Sequence, residues 1–357
     1  YIDPPYNAAT SEILYKNAYK HASWITLMRD RIIAAQKIMS DDGSMVIAID
    51  ENEVERLGLL IDEAFPGYKR TCVSVIHNKK GIQGTFFSYS NEFAYFIMPP
   101  SLKGLNEVEI SKEDWEYSNL RNWGTESLRT DARNCFYPIF VKDGTIVGVG
   151  KVCPDDFHPE SANVVQEDGT VAVYPIDKEG VERKWRYAQD TVGRILDTLK
   201  VETNSKGVIQ IKKPKTHDKF KTVWDRNEYI AGDFGTKVLT NMGFPSGAFD
   251  FPKSVYTVRD SVFAVSGDGD LTLDFFAGSG TTAQAVMALN REDGGNRRYA
   301  LVEMGDYFDK VTLPRVQKAQ YSSEWRDGKP VGRDGLSHAF KYVRLETYED
   351  CLNNLAL

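Results

Sequence analysis

Two short stretches of this 357-residue chain carry residue types suited to chemistry. The first is Asp3-Pro4-Pro5-Tyr6. Adjacent prolines fix φ and remove two backbone donors, so the segment reads as a rigid loop that cannot be helix interior or central strand. On such a loop the Asp3 carboxylate and the Pro4 carbonyl form a pair of acceptors for the hydrogens of an exocyclic amine, kept aimed without an ordering cost at each turnover. Tyr6 adds an aromatic face on which an extruded base can stack. The bland alternative is a stiffened turn with a core tyrosine.

The second stretch is TLDFFAGSGTT, residues 272–282. It reads as an apolar strand ending in Asp274, a glycine-rich turn, and a helix that opens at Thr281-Thr282. Gly278 and Gly280 allow close backbone approach to a ligand, and the helix start offers free N–H groups and positive dipole to an anionic group. Glu303, in ALVEM at the end of the next strand, stands where a nucleotide fold wants an acid for ribose hydroxyls. The GxGxxG spacing is absent. That disfavours a nicotinamide dinucleotide, and with it an oxidoreductase, and favours another adenosine-bearing cofactor.

Stepping outward, His21–Met39 has helical apolar spacing, SMVIAID (44–50) reads as a strand buried on both faces, and Glu51–Phe65 is helical again. TCVSVIHN and FAYFIM read as two further strands. This alternation predicts an α/β fold with helices on the faces of an open sheet. After Pro99-Pro100 the chain becomes rich in charges and aromatics, with hairpin-like pieces such as VKDGTIVGVGKV around Asp143-Gly144. The α/β character resumes near residue 271. The expected organisation is therefore a first half at 1–100, an α+β insert at 101–230 and a second half at 231–357. Residues 206–226 hold seven Lys/Arg against two Asp, the densest positive stretch of an acidic chain.

The net charge of −7 argues against coating nucleic acid by bulk electrostatics, so any DNA contact must be local. Cys72, Cys135, Cys153 and Cys351 form no CxxC pair, and the five histidines lack zinc spacing, so neither a disulfide framework nor a metal is expected. No apolar run has membrane-spanning length and no signal-peptide pattern opens the chain, which makes the cytoplasm the expected compartment. The chain starts at Tyr1 rather than Met, two residues before the proline motif, and so reads as a fragment whose upstream segment is missing.

DPPY at 3–6 resembles the catalytic motif of DNA amino-methyltransferases that modify adenine N6 or cytosine N4, and DFFAGSGTT at 274–282 is similar to their S-adenosylmethionine motif. The catalytic motif precedes the cofactor motif, the permuted order of the beta class. RNWGTESLRTDARNCFYPIFV (121–141), GDFGTKVLTNMG with FPKS (232–254), EDGGNRRYALVEM (292–304) and FKYVRLETYEDCLNN (340–354) narrow the resemblance to the modification subunits of type III restriction systems. It implies a Rossmann-like methyltransferase sheet with an inserted target-recognition domain, and adenine rather than cytosine as target, since cytosine enzymes more often have Ser where Asp3 stands.

By that resemblance Asp3, Pro4, Pro5 and Tyr6 would be catalytic. Asp274, Phe276, Ala277, Gly278, Gly280, Thr281 and Thr282 would wrap the cofactor, with Glu303 on its ribose, and Gly235, Thr236 and Lys253 would close over its methionine end. The family usually has Pro after that lysine, where this chain has Ser254. Arg121, Arg129 and Arg133 are candidates for base readout and Lys212, Lys213 and Lys215 for phosphate contact. The implied partners are double-stranded DNA, a helicase-nuclease restriction subunit and a second copy of the chain. A DNA-recognition and assembly module, with methylation secondary, is the alternative function.

Overall fold

The computed structural model describes residues 1–7 and 20–346; Cys351 and the end of the 340–354 motif lie outside the described residues. The chain divides into two compact units, Tyr1–Asn106 with Phe220–Leu357, and Glu107–Lys219.

The larger unit is built on β1 (Met45–Ile49), β2 (Lys69–Ile76), β3 (Asn91–Met98), β4 (Val223–Trp224), β5 (Leu271–Asp274) and β6 (Arg298–Leu301). β3 runs antiparallel between β1 and β2, β4 adds parallel to β2, and β5 pairs with β6 in parallel. The gap between β1 and β5 is filled by Tyr1-Ile2. Ile2 N donates to Val46 O at 2.9 Å, Ala48 N donates to Ile2 O at 3.0 Å, and Tyr1 N reaches Leu273 O at 3.2 Å. Asp3 therefore leaves the sheet at the carboxyl end of β1, the edge where antiparallel β3 begins with Asn91 and Glu92.

All five residues of β1 are buried, as its continuous apolar run requires. Met45, Ile47 and Ile49 pack with Ile2 under α1 (Lys20–Gln36) and α2 (Val54–Ala64), against Trp24, Met28, Ile32, Leu57 and Ile61. Val46 faces the opposite layer with Val73, Val75, Phe96, Trp224, Tyr229 and Ala264 of α3 (Val255–Val265). α3 packs through Val258 and Val262 on Ala285, Val286 and Leu289 of α4 (Thr281–Asp293). α5 (Leu313–Tyr321) joins the cluster around Met287 through Val316 and Ala319.

The smaller unit contains a four-stranded sheet built on the Ile139–Lys142/Thr145–Val149 hairpin and a three-stranded sheet centred on Ile209–Pro214. Asp143 and Gly144 turn the hairpin at φ +49° and +76°. Leu120, Tyr137, Ile139, Trp185 and Ile211 fill its core. Its limits are narrower than the 101–230 expected from composition. Leu102, Leu105, Phe220 and Trp224 pack into the core of the larger unit, and Asn106 Nδ2 donates to the carbonyls of Phe263 and Ser266 at 2.6 and 2.8 Å. Among the described residues no helix is long and apolar enough to cross a membrane, and no group of three His, Cys, Asp or Glu could hold a metal ion.

Candidate active site

The proline loop is pinned from both sides. Trp24 Nε1 donates to the Pro5 carbonyl at 2.6 Å. Asn7, in the left-handed region at φ +60°, places its buried amide on the carboxylate of Glu53, which His21 also contacts. A mobile DPPY loop would have to break these contacts.

Against the loop stands a cluster that sequence reading only half found. Lys253 Nζ lies 3.3 Å from Asp3 Oδ1, 2.7 Å from Glu92 Oε2 and 4.5 Å over the Tyr6 ring. Tyr6 OH donates to the same Glu92 oxygen at 3.4 Å. Burial raises the pKa of Asp3, Lys253 pulls it back and Glu92 pushes it up again, leaving it above the usual carboxylate range. Burial works against the charge of Lys253, but Asp3 and Glu92 outweigh it and its pKa is raised. Glu92 was not anticipated. Its one sequence signal is an acid at the head of the otherwise apolar NEFAYFIM.

Glycine chemistry delivers Lys253. A Cβ on Gly235 would lie 2.3 Å from Pro252 O and 3.0 Å from Lys253 O, so only glycine lets the Gly232–Thr236 turn touch that backbone. Thr236, next in the turn, gives its carbonyl to the Thr240 hydroxyl at 3.2 Å. Ser254 caps α3, its Oγ accepting from Tyr256 N at 3.2 Å while donating to Glu228 O at 2.6 Å. Ser254, where the resemblance implied proline, thus starts the helix with a side-chain cap.

In the glycine turn Gly278 and Gly280 adopt φ +52° and +84°, and Gly280 is the N-cap of α4. Buried Asp274 accepts from Phe276 N at 3.0 Å and Thr282 Oγ1 at 2.5 Å, and burial raises its pKa to about 6. Ala277 N donates to Val302 O at 3.2 Å. Glu303 Oε2 accepts from Gly278 N at 2.7 Å, and Oε1 accepts from Met304 N and Gly305 N at 2.8 Å. Glu303 therefore ties the turn to the loop after β6. Arg315 of α5, fully buried, donates to Ser279 Oγ at 2.5 Å, Thr281 Oγ1 at 2.8 Å and Gln284 Oε1 at 2.9 Å. Its Nη2 has no partner among the described residues, and burial lowers its pKa. Arg315 was also missed; an arginine set among apolar residues in TLPRVQKA was its signal.

These residues fit a cofactor with a ribose and an anionic tail. Positive-φ glycines open the approach, Glu303 Oε2 keeps one acceptor site for a ribose hydroxyl, and α4 points its N-terminus at the turn, with Arg315 Nη2 unpartnered among the described residues.

The cations of the smaller unit are mostly engaged. Arg129 is buried, donating to Phe157 O at 2.8 Å, Pro154 O at 2.5 Å and Glu182 Oε2 at 2.9 Å, so its guanidinium braces the unit. Arg121 stacks 4.5 Å from Trp123 and donates to Ile176 O. Exposed Arg133 pairs with Asp155. Lys212 lies 3.7 Å from Glu202, Lys215 pairs with Asp218, and Lys213 sits 5.7 Å over the Tyr187 ring.

A family model described as DNA methylase, of the N6/N4 methyltransferase type, matches residues 1–312. The chain belongs to this DNA methylase family. Its methyl donor is S-adenosylmethionine. This methylase is 28% identical to the type II methyltransferase M.KpnI of Klebsiella pneumoniae, over 97% of this chain and 84% of that protein. It is 27% identical to the type III restriction-modification enzyme EcoPI Mod subunit of Escherichia phage P1, over 96% of this chain and 58% of that subunit, so it spans little more than half of the latter. The solved PvuII DNA methyltransferase (cytosine-N4-specific) aligns with 88% of this chain and 77% of its own at 11% identity and a TM-score of 0.40, which adds nothing to the topology above.

Proposed function

We propose that this methylase modifies adenine N6 at a specific sequence in duplex DNA, on a base swung out of the helix. The observation that supports it most is adjacency: the Asp3 loop leaves the segment that hydrogen-bonds both β1 and the β5 strand of the glycine turn. When bound at that turn, S-adenosylmethionine supplies an electrophilic methyl group. Asp3 and the Pro4 carbonyl accept the two amine hydrogens, which turns the nitrogen lone pair out of conjugation with the ring. As that nitrogen gains a bond its hydrogens become acidic, and Asp3 is already the hydrogen-bonded acceptor. Its raised pKa suits it to take a proton.

Tyr6 carries the stacking face, over which Lys253 Nζ lies at 4.5 Å. An arriving base takes that place, and Glu92 keeps hold of the lysine. The smaller unit, Glu107–Lys219, is the target-recognition region in this reading, and a restriction subunit and a second copy are its expected partners. Incubating plasmid DNA with the chain and S-adenosylmethionine, followed by single-molecule sequencing, tests the proposal. N6-methyladenine confined to one motif is the expected result. N4-methylcytosine overturns the choice of base, and cofactor binding without any modification favours the assembly-module reading.

A further inference from the structure

The connection between β2 and β3, residues 77–90, leaves the sheet at the edge that holds Asp3, because Ile76 pairs with Asn91 and Ile49 with Phe93. It is a built hairpin. Ile82 and Tyr89 exchange both backbone hydrogen bonds, at 2.6 and 3.0 Å, and Gly81 N donates to Asn78 O at 2.9 Å. Two glycines are demanded by its shape: Gly81 has φ +75°, and a Cβ on Gly84 would sit 2.3 Å from the Phe87 carbonyl oxygen.

What this hairpin presents is Phe86 and Phe87, 92% and 81% exposed, with Ile82 and Tyr89 exposed beneath them. Lys79 and Lys80 stand at its base, and Lys79 donates to Asn227 Oδ1 at 2.6 Å. Holding two adjacent phenylalanines in water on a fixed turn is unfavourable, and such patches mark contact surfaces. The position names the partner. A duplex laid across this edge brings a base to Asp3 and Tyr6 and its stack to the hairpin, and the extruded base leaves a hole in that stack. Apolar side chains inserted between base steps fill such holes, and lysines beside them meet phosphates.

We propose that the Phe86-Phe87 tip is a wedge that enters the base stack beside the target and holds the vacated space open. This rests on the DNA-methylation reading. Once plasmid sequencing has supplied the site, 2-aminopurine in place of the target adenine reports base extrusion by its fluorescence. Wild type should brighten it; the double variant Phe86→Ala/Phe87→Ala should not, and should lose about ten- to a hundredfold in kcat/KM on the paired duplex, the size of one or two lost base–aromatic stacks. The same variant should recover on a duplex with an abasic position opposite the target, where extrusion is already easy.

Equal losses on paired and abasic duplexes, or wild-type brightening and turnover in the double variant, would overturn the wedge. So would a loss accompanied by a dimer-to-monomer change in light scattering, which would assign the patch to a second copy. Cofactor titration by calorimetry, unchanged in the variant, shows that the fold is intact. A wild-type chain that binds cofactor but modifies no plasmid sinks the underlying reading, and the wedge with it.

Discussion

Lys253 and two acids, Asp3 and Glu92, share one buried corner, whereas in the smaller unit the cations lie on the surface or brace it, most of them against local acids or carbonyls. The first arrangement shifts protonation; the second largely cancels itself. The density of lysine and arginine along a sequence is thus a poor guide to charge available to a ligand. Residues 206–226 are the most basic stretch, yet Lys212 and Lys215 already have carboxylate partners.

The sharpest way to break this contrast is at the catalytic corner. Asp3→Ala should keep cofactor binding while losing at least ~10²-fold in methyl transfer, the usual scale for one positioned polar group. Turnover near wild type, measured with tritiated donor, would remove the corner from the chemistry. Gly278→Val should do the opposite, abolishing cofactor binding in calorimetry. A side chain is strained at φ +52°, and its Cβ would come 3.1 Å from the Phe249 ring.

In the smaller unit the expected effect is on stability. Arg129→Met should cost ~2–4 kcal/mol in urea denaturation, because buried carbonyls and Glu182 lose their donor. Sequence selectivity should persist in whatever remains folded, and a stable variant with relaxed selectivity would make Arg129 a base reader.

The pH profile separates the two partners of Asp3. Activity needs the Asp3 carboxylate ionised, so it falls as pH drops through a pKa that burial has raised. Lys253→Met removes the cation that lowers this pKa and should move the acid limb of kcat to higher pH. Glu92→Gln removes a charge that raises it and should move the limb to lower pH. Shifts in the same direction would show that the two act on folding instead.

The smallest effect belongs to Lys212→Ala/Lys213→Ala/Lys215→Ala. Each free phosphate contact contributes about one to the salt slope of DNA binding, and of the three only Lys213 lacks an acid beside it among the described residues, so the slope should fall by about one and not three.

The α/β layers were legible because the Met45–Ile49 run is apolar throughout and its flanking helices are amphipathic. The two motifs were legible because proline pairs and closely spaced glycines constrain backbone in ways few other uses require. What escaped were contacts made across the fold. Glu92 and Arg315 are ordinary residues in their own strand and helix; only the antiparallel return of β3 and the packing of α5 under the glycine turn give them neighbours. Arg129 illustrates the converse, since a sequence shows an arginine but not that it is buried. The insert was drawn too wide because Leu102, Leu105 and Trp224 have compositions that fit either unit.

Tyr1-Ile2, which bridges the half-sheets, also works as an error check. Neighbouring strands lie about 4.8 Å apart, so this segment sets the spacing between the proline loop and the glycine turn. Ile2 is 1% exposed and fills the core beneath α1, while Tyr1 packs on the opposite layer. A slip of one residue would exchange those faces, drive a tyrosine into a space shaped for isoleucine and turn Asp3 away from Lys253. The oily interior thereby proofreads the alignment of the two reacting halves: a misthreaded sheet is rejected by its packing before it could misplace a carboxylate.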